Sequence, residues 1–111
     1  MFGGAFLLEE GIEMAILLDT YERLLTKTQV SILRMRFDED LSLGEIGEIL
    51  NISRQAVRNA IIKGEEKLRF YEDTLKIVKR DRAIKNVLNK LKSNADLSEC
   101  ADILKNVLEE N

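Results

Sequence analysis

Apolar residues recur along this chain at spacings of three and four, the signature of helices with one buried stripe. Met14, Leu17, Leu18, Tyr21, Leu24 and Leu25 form the first stripe and predict a helix within 10–25. Thr26-Lys-Thr-Gln29 then has capping-box form: the threonine hydroxyl can accept a first-turn N–H and the glutamine can reach back. It predicts a second helix over 27–37 with Val30, Leu33 and Phe37 inward. Asp38-Glu-Asp40 reads as a solvated loop rather than a metal site, because no matching ligand loop accompanies it. Ser42-Leu-Gly-Glu45 is a second capping box. It opens a short helix, 43–50, whose apolar positions are Leu43, Ile46, Ile49 and Leu50. Asn51, a residue that tolerates left-handed backbone, ends that helix, and Ser53 caps the next.

The fourth helix carries the most regular pattern. Val57, Ile61, Gly64, Leu68, Tyr71, Leu75 and Val78 form a heptad-like seam that predicts one long helix reaching past residue 75. Its far half must pack on the C-terminal helices, the first helix or a second copy of the chain. Gly64 costs about 1 kcal/mol relative to alanine in a helix interior and either admits a neighbouring helix or is merely tolerated. The seam loses phase at 79–82. Two short C-terminal helices follow, one using Ile84, Val87, Leu88 and Leu91 and the other, over 97–109, burying Leu97, Ala101, Leu104, Val107 and Leu108. A turn at 93–96 joins them, and Asp96-Leu-Ser-Glu99 has the form of a third capping box. Cys100, beside the last stripe, reads as a small buried hydrophobe. The expectation is a single all-α domain over 1–111.

Composition narrows the chemistry. The 111 residues include no proline and no histidine, and one cysteine. Ser-His-Asp and Cys-His catalysis and imidazole-dependent zinc sites are thereby excluded, as is an internal disulfide. There is no Gly-rich phosphate loop with Lys-Ser/Thr and no metal-ligand spacing. Neither an enzyme nor a cofactor is expected. The longest apolar run, 14–18, is too short to span a membrane. No basic residue precedes the apolar start, so no signal peptide is expected and the reading is cytoplasmic. The net charge of −3 hides an asymmetry: residues 1–52 carry −6, residues 53–92 carry +7 and residues 93–111 carry −4. A basic middle between acidic ends points to an anionic partner, to basic and acidic helices facing one another, or to charges that are simply solvated.

The stretch 41–69, beginning LSLGEIGEILNISRQAVRNAIIKGEEKL, joins a short amphipathic helix, a tight turn and a second helix. Small Gly47 falls where two crossing helices come close. Ile46, Leu50, Ile52, Val57 and Ile61 are placed to fix their angle. This is the sequence form of a helix-turn-helix. With Val57, Ala60 and Ile61 inward, the face left for a partner is Ser53, Arg54, Gln55, Arg58, Asn59, Ile62 and Lys63. Arg54 and Arg58 suit phosphates or guanine edges, and Gln55 and Asn59 have the amide geometry that suits adenine. The competing reading is a structural tri-helical core with a polar outer face.

The motif resembles the helix-turn-helix of region 4 of bacterial sigma factors. It is closer to the YlxM family, through 24–29 (LLTKTQ), 40–46 (DLSLGEI) and above all Ser53-Arg-Gln-Ala-Val57, continued by Glu65, Leu68, Tyr71, Glu72 and Leu75. Arg58, Ala60 and Ile62 depart from the family's pattern, as does 1–11. The resemblance implies an all-helical bacterial accessory or regulatory protein of the signal recognition particle pathway. Its partners would be the particle's RNA, its GTPase, or both. Against a structured RNA, Lys76, Lys79, Arg80, Arg82 and Lys85 would matter as much as the motif, because the A-form major groove is deep and narrow. The alternatives are a sequence-specific DNA-binding regulator, dimeric through the long helix, and a pure protein-interaction module.

Overall fold

The computed structural model describes residues 4–93 and 96–109, with side chains from Glu9 onward. Among the described residues there are six α-helices and no strand. They group into two compact units that meet in sequence at Leu75 and Lys76.

In the first unit, α1 (Gly4–Tyr21) tightens into a single 3₁₀ turn at Glu22–Leu24. The helix predicted to reach residue 25 therefore stops four residues sooner, and Leu24 is 52% exposed. The cause is the next cap. Thr26 must be extended for its Oγ1 to accept from the Gln29 N–H (3.1 Å) while its own N–H donates to Gln29 Oε1 (2.9 Å). That box opens α2 (Lys27–Phe37) at the predicted residue. Of its expected inward residues Leu33 is buried, while Val30 and Phe37 are half-buried and Ile32 shares the core instead. The 38–42 connection is held by Arg36, which donates to the Leu41 carbonyl at 3.0 Å, and turns through Asp40 at φ 58°. Next comes α3 (Leu43–Leu50), then α4 (Arg54–Leu75), the axis on which α1, α2 and α3 all pack.

The core is Met14, Leu17, Leu18 and Tyr21 from α1, Ile32 and Leu33 from α2, Ile46 from α3, and Val57, Ile61 and Leu68 from α4. Gly64 sits in its middle. A Cβ there would stand 2.8 and 2.9 Å from the Cδ atoms of Leu33 and 3.1 Å from its Cγ, so the glycine admits α2. Arg34 fastens the rim. It donates to Asp19 of α1 and to Asp38 at the end of α2, both at 2.7 Å, and to Glu22 of the 3₁₀ turn. The hydrogen bond to Asp19, followed by those to Asp38 and Glu22, outweighs desolvation and holds the guanidinium ionised beyond its ordinary range. At the far end of α4 the Tyr21 hydroxyl donates to Glu72, and the Tyr71 hydroxyl donates to the Leu24 carbonyl at 3.2 Å.

The fourth helix ends at Leu75, not beyond Val78. Tyr71 and Glu72 are its last anchors to the core, and Leu75 is already exposed. Past them a straight helix would bury nothing further in this unit. Lys76 takes a left-handed backbone (φ 54°, ψ 31°) and the chain restarts. One left-handed residue leaves no trace in a heptad pattern. The loss of phase at 79–82 falls inside α5 and marks no helix end.

The second unit is a hairpin of α5 (Ile77–Lys92) and α6 (Leu97–Glu109). α6 spans the expected 97–109, while α5, at 16 residues, begins well before Ile84, the first of its expected apolar positions. The Cys100 thiol points at the Val87 carbonyl, 4.0 Å away, and Lys90 pairs with Glu99 at 2.7 Å. Glu99 keeps the ammonium charged above its usual range. Because Glu99 is drawn to Lys90, the third capping box closes on one side only, with Asp96 accepting from the Ser98 N–H at 2.9 Å. Asn94 and Ala95 of the expected turn lie outside the described residues. Cys100 is buried as expected, but Leu97, Ala101, Leu104 and Leu108 are exposed and Val107 is half-buried. On α5 only Val87 of the four expected core positions is buried. The hairpin closes through a face of each helix that adjoins its wider apolar stripe.

Two stability predictions follow from α4. Gly64→Ala gains helix propensity of about 1 kcal/mol but presses on a fully buried Leu33, for which overpacking costs about 1–3 kcal/mol. Urea denaturation should show a net loss of about 1 kcal/mol. Glu65, half-buried, has its carboxyl raised above the ordinary value, first by desolvation and then by Glu10, with Arg69 and Arg36 opposing. A raised folded-state value means that the folded chain binds the proton more readily, so the penalty is present at neutral pH and fades as the carboxyl protonates. Glu65→Gln should raise the urea midpoint at pH 7, and the two midpoints should converge below about pH 4.

Candidate nucleic-acid interface

Three local devices build the helix-turn-helix. The first is the capping box that starts α3. The Ser42 Oγ accepts from the Glu45 N–H (3.1 Å) and the Ser42 N–H donates to Glu45 Oε1 (3.0 Å). Those bonds, the backbone one foremost, hold the Glu45 carboxyl below its ordinary range. The second is the turn. Asn51 is left-handed (φ 56°, ψ 47°), and the Ile52 N–H returns to the Gly47 carbonyl at 2.9 Å. The third is the entry to α4, where Ser53 Oγ accepts from the Ala56 N–H at 3.0 Å.

Gly47 is required, though not by the facing helix as the sequence implies. A Cβ at Gly47 would stand 2.7 Å from the Ile52 carbonyl oxygen, so the turn's own backbone excludes a side chain. Ile46, Val57 and Ile61 lock the two helices from inside, while Leu50 is half-buried and Ile52 is exposed.

On the outer face of α4, Gln55, Arg58, Asn59, Ile62 and Lys63 are all exposed. The Gln55 Nε2 donates to Asn59 Oδ1 at 3.0 Å, so the two amides form one unit with a donor and an acceptor still outward. Arg58 and Lys63 flank it, and among the described residues neither is in an ion pair. Arg54 departs from this row. Its guanidinium lies across the start of α3, where a Cβ on Gly44 would come within 2.8 Å of Nη2. The seat for Arg54 was missed, because a glycine inside a short helix carries no signal of what covers it. Glu45 and Glu48 of α3 are exposed and line the same shallow surface as Arg54.

The other five expected site residues belong to the second unit. Lys76 is the left-handed residue at its start and is half-buried. Lys79, Arg82 and Lys85 are exposed and Arg80 is half-buried, with Lys85 pairing with Asp81 at 2.9 Å. No helix among the described residues is long and apolar enough to cross a membrane.

Comparison with known proteins agrees with this geometry. Residues 8–107 match the model of a family described as YlxM / p13 like helix-turn-helix proteins, UPF0122. A UPF0122 protein of Thermoanaerobacter is 43% identical over 84 residues, covering 76% of this chain and 72% of the relative. YlxM of Bacillus subtilis is 41% identical over 88 residues, 79% of this chain and 80% of its own. A UPF0122 protein of Fusobacterium nucleatum is 37% identical over 102 residues, 92% and 99% of the two chains.

The two α3 glycines should separate on mutation. Gly47→Ala drives a Cβ into a backbone carbonyl and should cost at least about 2 kcal/mol in urea denaturation. Gly44→Ala meets only a mobile guanidinium and should leave stability unchanged, or raise it by up to about 1 kcal/mol.

Proposed function

The chain belongs to the YlxM / p13 like helix-turn-helix family, and from that premise we propose that it is a cytoplasmic, non-enzymatic accessory protein of the bacterial signal recognition particle pathway, binding the particle's RNA through the outer face of α4. The observation that carries the binding step is the exposed row Gln55, Arg58, Asn59 and Lys63 on a rigidly capped helix start, with both cations outside any ion pair among the described residues. The pathway comes from the resemblance through Ser53-Arg-Gln-Ala-Val57.

Electrostatics favours a structured RNA over a DNA operator. In a DNA-bound helix-turn-helix the first helix crosses the phosphate backbone. Here that helix is α3, with exposed Glu45 and Glu48, and Arg54 is folded back onto it. A single basic row approaching phosphates from one side avoids those carboxylates. The joined amides of Gln55 and Asn59 keep a second reading in view, direct readout of duplex DNA.

Fluorescence anisotropy with the particle's RNA and with random duplex DNA, each at two salt concentrations, tests this. RNA binding should weaken steeply with salt. The double variant Arg58→Ala/Lys63→Ala should bind about tenfold more weakly, with a salt slope shallower by one to two units. Binding of one duplex sequence in preference to others would move the assignment to a DNA-binding regulator. No binding to either nucleic acid, with a response only to the purified GTPase, would make the chain a protein-interaction module.

A further inference from the structure

The α5–α6 hairpin leaves one apolar face uncovered. On α5 the exposed residues Ile84, Leu88 and Leu91 are spaced 4 and 3, and on α6 Leu97, Ala101, Leu104 and Leu108 are spaced 4, 3 and 4. Leu97 and Leu108 are 70% and 79% exposed. These are complete seams at coiled-coil spacing. They are distinct from the seam already used, in which Cys100 of α6 meets Val87 of α5 and Ile103 and Val107 are half-buried on the same stripe as Cys100. At 3.6 residues per turn the unused stripe lies about a quarter turn from the used one on each helix, in the same rotational sense. The Val87–Cys100 and Lys90–Glu99 contacts make the helices antiparallel, so the two stripes emerge on the same side of the hairpin.

Two adjacent seams per helix are what a four-helix bundle requires, because each helix then meets two neighbours. We propose that the missing two helices are α5 and α6 of a second copy of this chain. Charge selects that occupant. Residues 77–92 carry six basic side chains and one acidic, while residues 97–109 carry three acidic and one basic. Each hairpin thus holds a basic and an acidic helix, and a two-fold-related copy sets α5 against α6 of its partner. Area agrees. The exposed aliphatic surface is on the order of 700 Å² per chain, above the usual largest patch on a monomer and close to the ~800 Å² each partner contributes to a standard interface. The long fourth helix does not offer this interface, since Val57, Ile61, Gly64 and Leu68 of its seam are spent in the first unit's core.

Sedimentation equilibrium of the full chain tests the proposal. The expected mass is about twice the 12.7 kDa of the chain; a monomer up to about 100 µM overturns it. Leu88→Glu/Leu104→Glu should raise the dimer dissociation constant at least about a hundredfold with helicity at 222 nm kept. A dimer undiminished in that variant overturns the assigned face. Should the variant lose helicity, hydrogen exchange of the wild type at two concentrations decides. Added protection at high concentration in 77–92 and 97–109 supports the bundle, and added protection confined to 27–75 overturns it.

Discussion

The first unit depends on how closely α2 crosses α4. Leu33 occupies the space that a side chain at position 64 would need, and everything else is arranged around that contact. With α2 seated, Ile32 and Leu33 reach the stripe of α1, and Arg34 on the next position gathers Asp19, Glu22 and Asp38 at the rim. One guanidinium then satisfies carboxylates from α1, the 3₁₀ turn and α2, fixing how the chain enters and leaves the α2 layer. The pairs are part-exposed and each contributes little alone. Their use is to define geometry, while the apolar contact at Gly64 supplies the stability.

Local grammar was the legible part of the sequence. α2 and α3 begin and end where their capping boxes and Asn51 place them, because a reciprocal cap is decided within four residues. The helix-turn-helix was legible for the same reason, since its turn residues act on their immediate neighbours. What the sequence concealed is decided by distant residues. Nothing near Gly64 names Leu33, nothing near Gly44 names Arg54, and the left-handed Lys76 sits inside an unbroken heptad pattern. The C-terminal helices show a different failure. Each carries two apolar stripes, and periodicity alone assigns the wider stripe to the core even when the narrower one closes the hairpin.

The charge pattern resolves along the same lines. Three of the carboxylates behind the acidic excess of the N-terminal half, Asp19, Glu22 and Asp38, are gathered at Arg34 rather than spread singly over the surface. The basic excess of the middle splits between the outer face of α4 and the exposed side of α5. The candidate interface is therefore a narrow row, two cations around an amide pair, rather than a broad basic surface. A row of that size makes few phosphate contacts and has modest affinity by itself.

A weak single site and a self-complementary hairpin answer each other. A four-helix bundle made from two chains would carry two copies of the α4 row on one particle. Engagement of the first row would convert the second encounter into an intramolecular one, at an effective concentration set by the separation of the rows. Affinity would then come from geometry, without additional cations, and the low overall charge of the chain would cease to be an objection to nucleic-acid binding. The same arrangement favours an extended, structured RNA over a short operator. Two rows that read phosphates and shape need only be spanned by one ligand, whereas two rows that read bases must also match the register of paired half-sites.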